Sequence, residues 1–271
     1  MAEKVTRSDI AQGLAALGIA PADVILVHSS LNSLGEVEGG ADAVIDGLLD
    51  AVGAEGTVIV PTLTGSPEDS PDNPPHFDVR ETPCWTGVIP ETFRQRWDAV
   101  RSLHPTHSVA CVGPLAYDLV RGHEQCPTPC GRGTPYYRMA IEGGKIVLLG
   151  VDLNSCTTVH TVEELAESPW HLLPEPVAAT IVDENGQKRT VRVRLHRWGI
   201  ERDFTVLEPA LRERELIQVG KIGEAEVRVI DAKGLIDTGV ELLQENPTLF
   251  LVNPDAVQRL LEQEEQEEGE Q

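Results

Sequence analysis

The sequence predicts an α/β protein, an α/β/α sandwich with a small antiparallel insertion. Three observations carry this. Short apolar runs at residues 24–28, 57–61 and 145–151 read as buried strands. A segment of helical length separates the first two, the spacing that favours a parallel α/β unit. After Trp170 the pattern changes to two alternating strands, residues 177–182 and 188–195, on either side of the turn signal Asn185-Gly186.

The elements follow in order. Ser8 is placed to cap a first helix through Leu17, with Ile10, Leu14 and Leu17 facing inward and Gly18 ending it. The strand at 24–28 opens into a hydroxyl-rich loop, and an amphipathic helix over 40–52 leads to the strand at 57–61. Residues 64–86, rich in Pro, Ser, Asp and Asn, read as a long irregular loop. Loops of that length are uncommon and often functional, so this one is a candidate cleft wall. Next come a helix near 90–97, a strand at 108–112, helices near 115–121 and 135–142, and the strand at 145–151. A polar turn then enters a helix carrying His160 and Glu163. Beyond the insertion, placed near 174–200, lie a helix near 206–215, a strand at 226–230 and helices at 233–244 and 254–264. Residues 1–260 read as one domain, and 261–271 as an acidic, solvated tail expected to be disordered.

A chain of 271 residues with 41% hydrophobic content can bury one large α/β core, and with 4% aromatics that core must be mainly Val, Leu, Ile and Ala. The formal net charge of −22 argues against nucleic-acid binding, which needs a basic face. It suits a polycationic ligand, which an acidic field would concentrate, although part of the charge sits in the C-terminal tail. No apolar stretch approaches a membrane span and the N-terminus lacks a signal-like segment, so the expected location is cytoplasmic. Five cysteines (Cys84, Cys111, Cys126, Cys130, Cys156) form no disulfide framework. The Cys126/Cys130 spacing resembles half a zinc site without a second pair, so no metal is expected.

His160 and Glu163, three residues apart on a helix, share one face. A histidine whose second nitrogen is held by a carboxylate is a good general base near neutral pH. The same spacing also serves histidines that only pack, so the neighbouring motifs decide. These are His28-Ser29-Ser30-Leu31-Asn32-Ser33-Leu34-Gly35 after the first strand, His104-Pro105-Thr106-His107-Ser108-Val109 before another, and Asn154-Ser155-Cys156-Thr157-Thr158-Val159-His160-Thr161-Val162-Glu163-Glu164. With Pro61-Thr62, Phe77-Asp78, Thr82-Pro83, Gly87 and Pro90, they resemble the aminoglycoside 3-N-acetyltransferase family from about Ser8 to about Asp203. Several spaced motifs agree in order, which makes the resemblance specific.

The resemblance implies an antibiotic N-acetyltransferase fold and acetyl transfer from acetyl-CoA to the 3-amino group of a 2-deoxystreptamine, with His160 as base and Glu163 holding its ring. Ser29, Ser30, Leu31 and Ser33, with Thr106, Ser108 and Val109, are the expected acetyl-CoA contacts. Gly39-Gly40 at a helix start would welcome phosphate. His28 and His107 are candidate cleft residues, with His104 less favoured. Asp78, Asp152, Glu164, Glu167 and Asp203 are candidates to pair with substrate ammonium groups. Cys156 reads as a small apolar residue, so no covalent acyl-enzyme is expected. The partner is a small polycation, with the chain a monomer or homodimer. Three alternatives stay open: a different amine acceptor, a metal-dependent hydrolase built on His104, His107, His160 and Glu163, or binding without catalysis.

Overall fold

The computed structural model describes residues 4–269. Helix α1 (Arg7–Ala16) precedes strand β1 (Val24–Ser29), helix α2 (Gly40–Val52) and strand β2 (Thr57–Pro61). The short strand β3 (His76–Asp78), helix α3 (Val88–Arg94), strands β4 (Val100–Arg101) and β5 (Val109–Val112), and helices α4 (Ala116–Val120) and α5 (Pro135–Ile141) follow. Strand β6 (Lys145–Leu149) leads to helix α6 (Thr158–Leu165), then strands β7 (Val177–Val182) and β8 (Lys188–Val193). Helix α7 (Glu208–Glu213), strands β9 (Ile217–Ile222) and β10 (Ala225–Asp231), and helices α8 (Ala232–Glu245) and α9 (Pro254–Gly269) complete the chain.

Seven strands form the main sheet in the order β4-β5-β2-β1-β6-β10-β9. The central three, β2, β1 and β6, are parallel, and the outer strands pair antiparallel. Successive side chains of a strand point to opposite faces. Val24, Leu26, Ile146 and Leu148 therefore pack with α4 to α8, while Ile25, Val27, Val147 and Leu149 pack with α1, α2 and α3. The result is the expected α/β/α sandwich, with both faces of its central strands buried.

The local details depart from the sequence reading in several places, strand β4 among them. The cap of α1 is Thr6 rather than Ser8: Thr6 and Asp9 form a reciprocal capping box, and Ser8 Oγ accepts from Gln12 Nε2 instead. The long loop is not wholly irregular, since β3 within it pairs parallel to β7 and makes the small sheet β3-β7-β8 three-stranded. Strands β7 and β8 are joined by five residues, with Asp183 Oδ1 accepting from the backbone N–H groups of Asn185 and Gln187. Strand β9, in which Gly220 and Lys221 interrupt the apolar alternation, was not expected. Helix α9 continues to Gly269, where a disordered tail was expected from 261. Glutamate and glutamine are good helix formers, Gln258 bonds Glu262 one turn on, and Arg197 pairs with Glu264. Residues 270–271 lie outside the described residues. No helix among the described residues is long and apolar enough to cross a membrane.

Strands β1 and β6 are neighbours, yet α2 after β1 covers one face and α6 after β6 covers the other. The connections diverge at the carboxyl ends of the two strands and leave a crevice, the usual ligand position in open α/β sheets.

Candidate active site

The two strand ends place the chemistry. β1 terminates in His28 and Ser29. After β6 the chain makes a single 3-10 turn, Leu153–Ser155, capped by Asp152, and enters α6. Helix α6 is held against the sheet by Val159 and Val162, and α8 crosses it closely at Gly239. A Cβ at Gly239 would stand 2.7 Å from Val162 Cγ1, so only glycine permits this approach.

His160 projects from α6 into the wall between two cavities. The first, of about 450 Å³, is also lined by His28, Ser29, Cys156 and Thr157. The second, of about 250 Å³, is lined by Thr106, His107, His196, Arg197 and Arg202. Leu63, Trp85 and His160 belong to both. The indole Nε1 of Trp85 donates to Gly65 O at 2.8 Å, which ties this part of the long loop over the cavities.

His160 Nδ1 lies 2.7 Å from Glu163 Oε2, and its side chain is 22% exposed while that of Glu163 is fully buried. An ionised carboxylate can only accept, so the pair fixes the proton on Nδ1 and leaves Nε2 with a free lone pair. Glu163 Oε1 accepts from Arg202 Nε at 2.7 Å and Trp170 Nε1 at 3.3 Å. Burial pushes the Glu163 carboxyl up, but His171 and His160 outweigh it and hold the group well below the usual carboxylate range. Burial dominates at His160 and lowers its pKa from 6.5, partly offset by Glu163. At neutral pH the ring is an unprotonated base beside a charged carboxylate.

His28 Nε2 accepts from the Thr157 backbone N–H at 3.3 Å, which ties the end of β1 to the start of α6. Burial, with His160 nearby, pushes its pKa down to about 3, so it stays neutral. The Cys156 thiol is pushed up to about 12 by burial, which makes it a poor nucleophile.

The remaining expected residues divide. Ser29 lines the first cavity, and Thr106 and His107 line the second, with Thr106 Oγ1 2.9 Å from His107 Nδ1. Ser30, Leu31 and Ser33 line neither. Ser33 Oγ donates to Ser30 Oγ at 2.9 Å, and Leu31 packs on the α2 side of the core. Ser108 is buried, donating to Thr62 O at 2.7 Å beneath the Arg101 guanidinium, and Val109 belongs to the core. His104 is buried, its Nδ1 accepting from the His107 backbone N–H at 3.0 Å. Asp78, Asp152 and Asp203 accept from backbone N–H groups two residues on and line neither cavity. Glu164 and Glu167 line a third cavity, of about 580 Å³, beside Glu163 and His171. Sequence reasoning missed His171, His196, Arg197 and Arg202, which stand in no recognisable motif and reach His160 only through the fold.

Known proteins resemble this chain over most of its length. The profile of the family described as Aminoglycoside 3-N-acetyltransferase matches residues 26–244. An aminoglycoside N(3)-acetyltransferase III from Salmonella sp. is 32% identical over 270 residues, covering 89% of this chain and 92% of that protein. Aminoglycoside N(3)-acetyltransferase VIII of Streptomyces fradiae is 29% identical over 265 residues, with the same coverage. The crystal structure of aminoglycoside acetyltransferase AAC(3)-Xa superposes with a TM-score of 0.77 at 31% identity, over 89% of this chain and 93% of that one. A structure described as AAC-IIIb binary with CoASH superposes with a TM-score of 0.79 at 25% identity, over 93% and 99%. Matched by profile, curated relatives and fold over most of its length, the chain belongs to the aminoglycoside 3-N-acetyltransferase family.

Proposed function

We propose that this protein transfers the acetyl group of acetyl-CoA directly to the 3-amino group of a 2-deoxystreptamine aminoglycoside, with His160 as general base. The observation that carries this is the position of His160. Its Nδ1 is bonded to a buried carboxylate, and its ring is shared by two adjoining cavities, one for each reactant. A protonated amine does not attack a thioester. The ammonium first loses one proton to solvent; as the free amine's nitrogen then bonds to the carbonyl carbon, His160 Nε2 takes a second, Glu163 stabilises the imidazolium, and that proton passes to the departing thiolate as the C–S bond breaks. Amine and thioester become amide and thiol, and no protein side chain is acylated. Holding both reactants at one wall supplies much of the remaining advantage.

The donor side fits acetyl-CoA. Ser29 Oγ, in the lining of the first cavity, is buried without a hydrogen-bond partner among the described residues. Glu164 and Glu167 line a third cavity, next to Glu163 but outside the two that share His160; a polycation extending from His160 past Glu163 would meet their charge. One observation favours a second reading, a different small-molecule amine: among the described residues no carboxylate lines the two cavities that share His160, while Arg197 and Arg202 do.

His160→Ala should lower kcat by about 10²–10⁴ while acetyl-CoA binding is retained. Near-normal turnover in that variant would sink the assignment of the base. Thiol release with a panel of aminoglycosides, including one lacking the 3-amine, separates the two acceptor readings.

A further inference from the structure

A second group of histidines surrounds His160 and takes no part in the proposed reaction. His171 and His196 approach from the loops on either side of the β7–β8 hairpin. Their ring centroids lie 4.3 Å apart, and 5.1 and 4.6 Å from that of His160. One nitrogen from each ring falls within 4.8 Å of the others. Nitrogens around a tetrahedral ion at the usual zinc distance are about 3.3 Å apart, a closure within reach of small ring rotations.

The buried nitrogens themselves point to a ligand. His171 is fully buried, with Nδ1 3.0 Å from Glu163 Oε2 and Nε2 3.7 Å from Glu164 Oε1, so carboxylates face both ring nitrogens. His196 Nε2 is buried and, among the described residues, has no partner. Such an orphaned atom is costly and calls for a ligand. Glu163 lies behind two of the three rings, the carboxylate–histidine arrangement that orients imidazoles toward a metal.

We propose that His160, His171 and His196 form a binding site for a zinc-like divalent transition-metal ion, which inhibits the enzyme by occupying the nitrogen that His160 needs as a base. The inhibition rests on the acetyl-transfer reading, but the binding does not. Three imidazoles suit such an ion and leave a position for water. His107, Cys130 and His196 make an overlapping set, also within 4.8 Å. The three-imidazole set is preferred because Glu163 stands behind two of its rings, whereas Cys130 is packed in the main hydrophobic core.

The test is titration of the full-length protein, stripped with chelator, with Co²⁺, followed by visible absorption and competed with Zn²⁺. One equivalent should bind with the intense bands of a low-coordinate site. His196→Asn and His171→Gln, checked for folding by circular dichroism, should each weaken binding at least tenfold, while Cys130→Ala should not. No saturable binding, or binding indifferent to both histidine variants, overturns the site; loss of binding in Cys130→Ala overturns the ligand set. Acetylated product, read by mass spectrometry, should fall with Zn²⁺ and recover with EDTA. Saturated binding with undiminished product would uphold the site and overturn His160 as the base.

Discussion

Replacing Glu163 with glutamine tests the centre of the site in three independent ways. The carboxylate is fully buried and serves His160, His171 and Arg202 together. Glutamine keeps the shape and can still accept from His160 Nδ1, but it carries no charge to stabilise an imidazolium. Turnover should drop by about 10²–10⁴. The pH profile should move in a particular direction. Burial lowers the His160 pKa and Glu163 raises it, so removing the charge drives the pKa further below 6.5. The base loses activity as pH falls through its own pKa, so the acid limb of kcat/KM should shift to lower pH in the weakened enzyme. Stability should fall as well. Arg202, with only 11% of its side chain exposed, is left without its counter-charge. Breaking a buried pair from one side costs about 3–5 kcal/mol, or roughly 10 °C in Tm for a chain of this size. Kinetics from pH 5 to 9 and thermal unfolding of both proteins measure all three. An acid limb that moves to higher pH, or unaltered turnover, would refute the assigned roles.

Other predictions follow from the same geometry. Burial pushes both His28 and His123 down to about 3 in the folded protein, against about 6.5 in the unfolded chain. The stability they contribute is complete above pH 6.5 and is lost as pH falls toward 3, at about 1.4 kcal/mol per pH unit for each residue. His104, His107 and His196 shift the same way, and His171, whose pKa is raised, offsets one of them. Urea unfolding at pH 7 and 5.5 should show a loss of several kcal/mol; equal free energies would contradict the buried, neutral histidines. Gly239→Ala would improve helix propensity, yet its Cβ would overlap Val162, so it should cost about 1–3 kcal/mol and lower kcat by shifting α6. A raised Tm with unchanged kcat would count against that account. Glu167→Gln should raise KM for a polycationic acceptor with little change in kcat, and an unaltered KM would remove Glu167 from the substrate site.

Much of this protein was legible in its residues alone. The strands that build the central sheet, the helix over Gly40–Val52, and the spacing of His160 and Glu163 all follow from local periodicity and short motifs. The same local logic failed where a distant partner decided the outcome. β3 is a strand because β7 lies beside it, and β9 because β10 does, whatever their own composition. Ser108 and Val109 sit in a motif rich in hydroxyls, yet they are buried in the sheet because β5 pairs with β2 at that register.

The sequence by itself determined the family, the layered architecture and the histidine–carboxylate pair, because each is written in neighbouring residues. Only the tertiary structure decided what surrounds that pair. His171, His196 and Arg202 are separated from His160 by 11, 36 and 42 positions, and no periodicity links them. The side chains converge because two connections leave adjacent strands toward opposite faces, and the segments after α6 fold back over the opening that results. The protonation of His160 depends on that closure, since burial and Glu163 act on its ring only once the chain has brought them together.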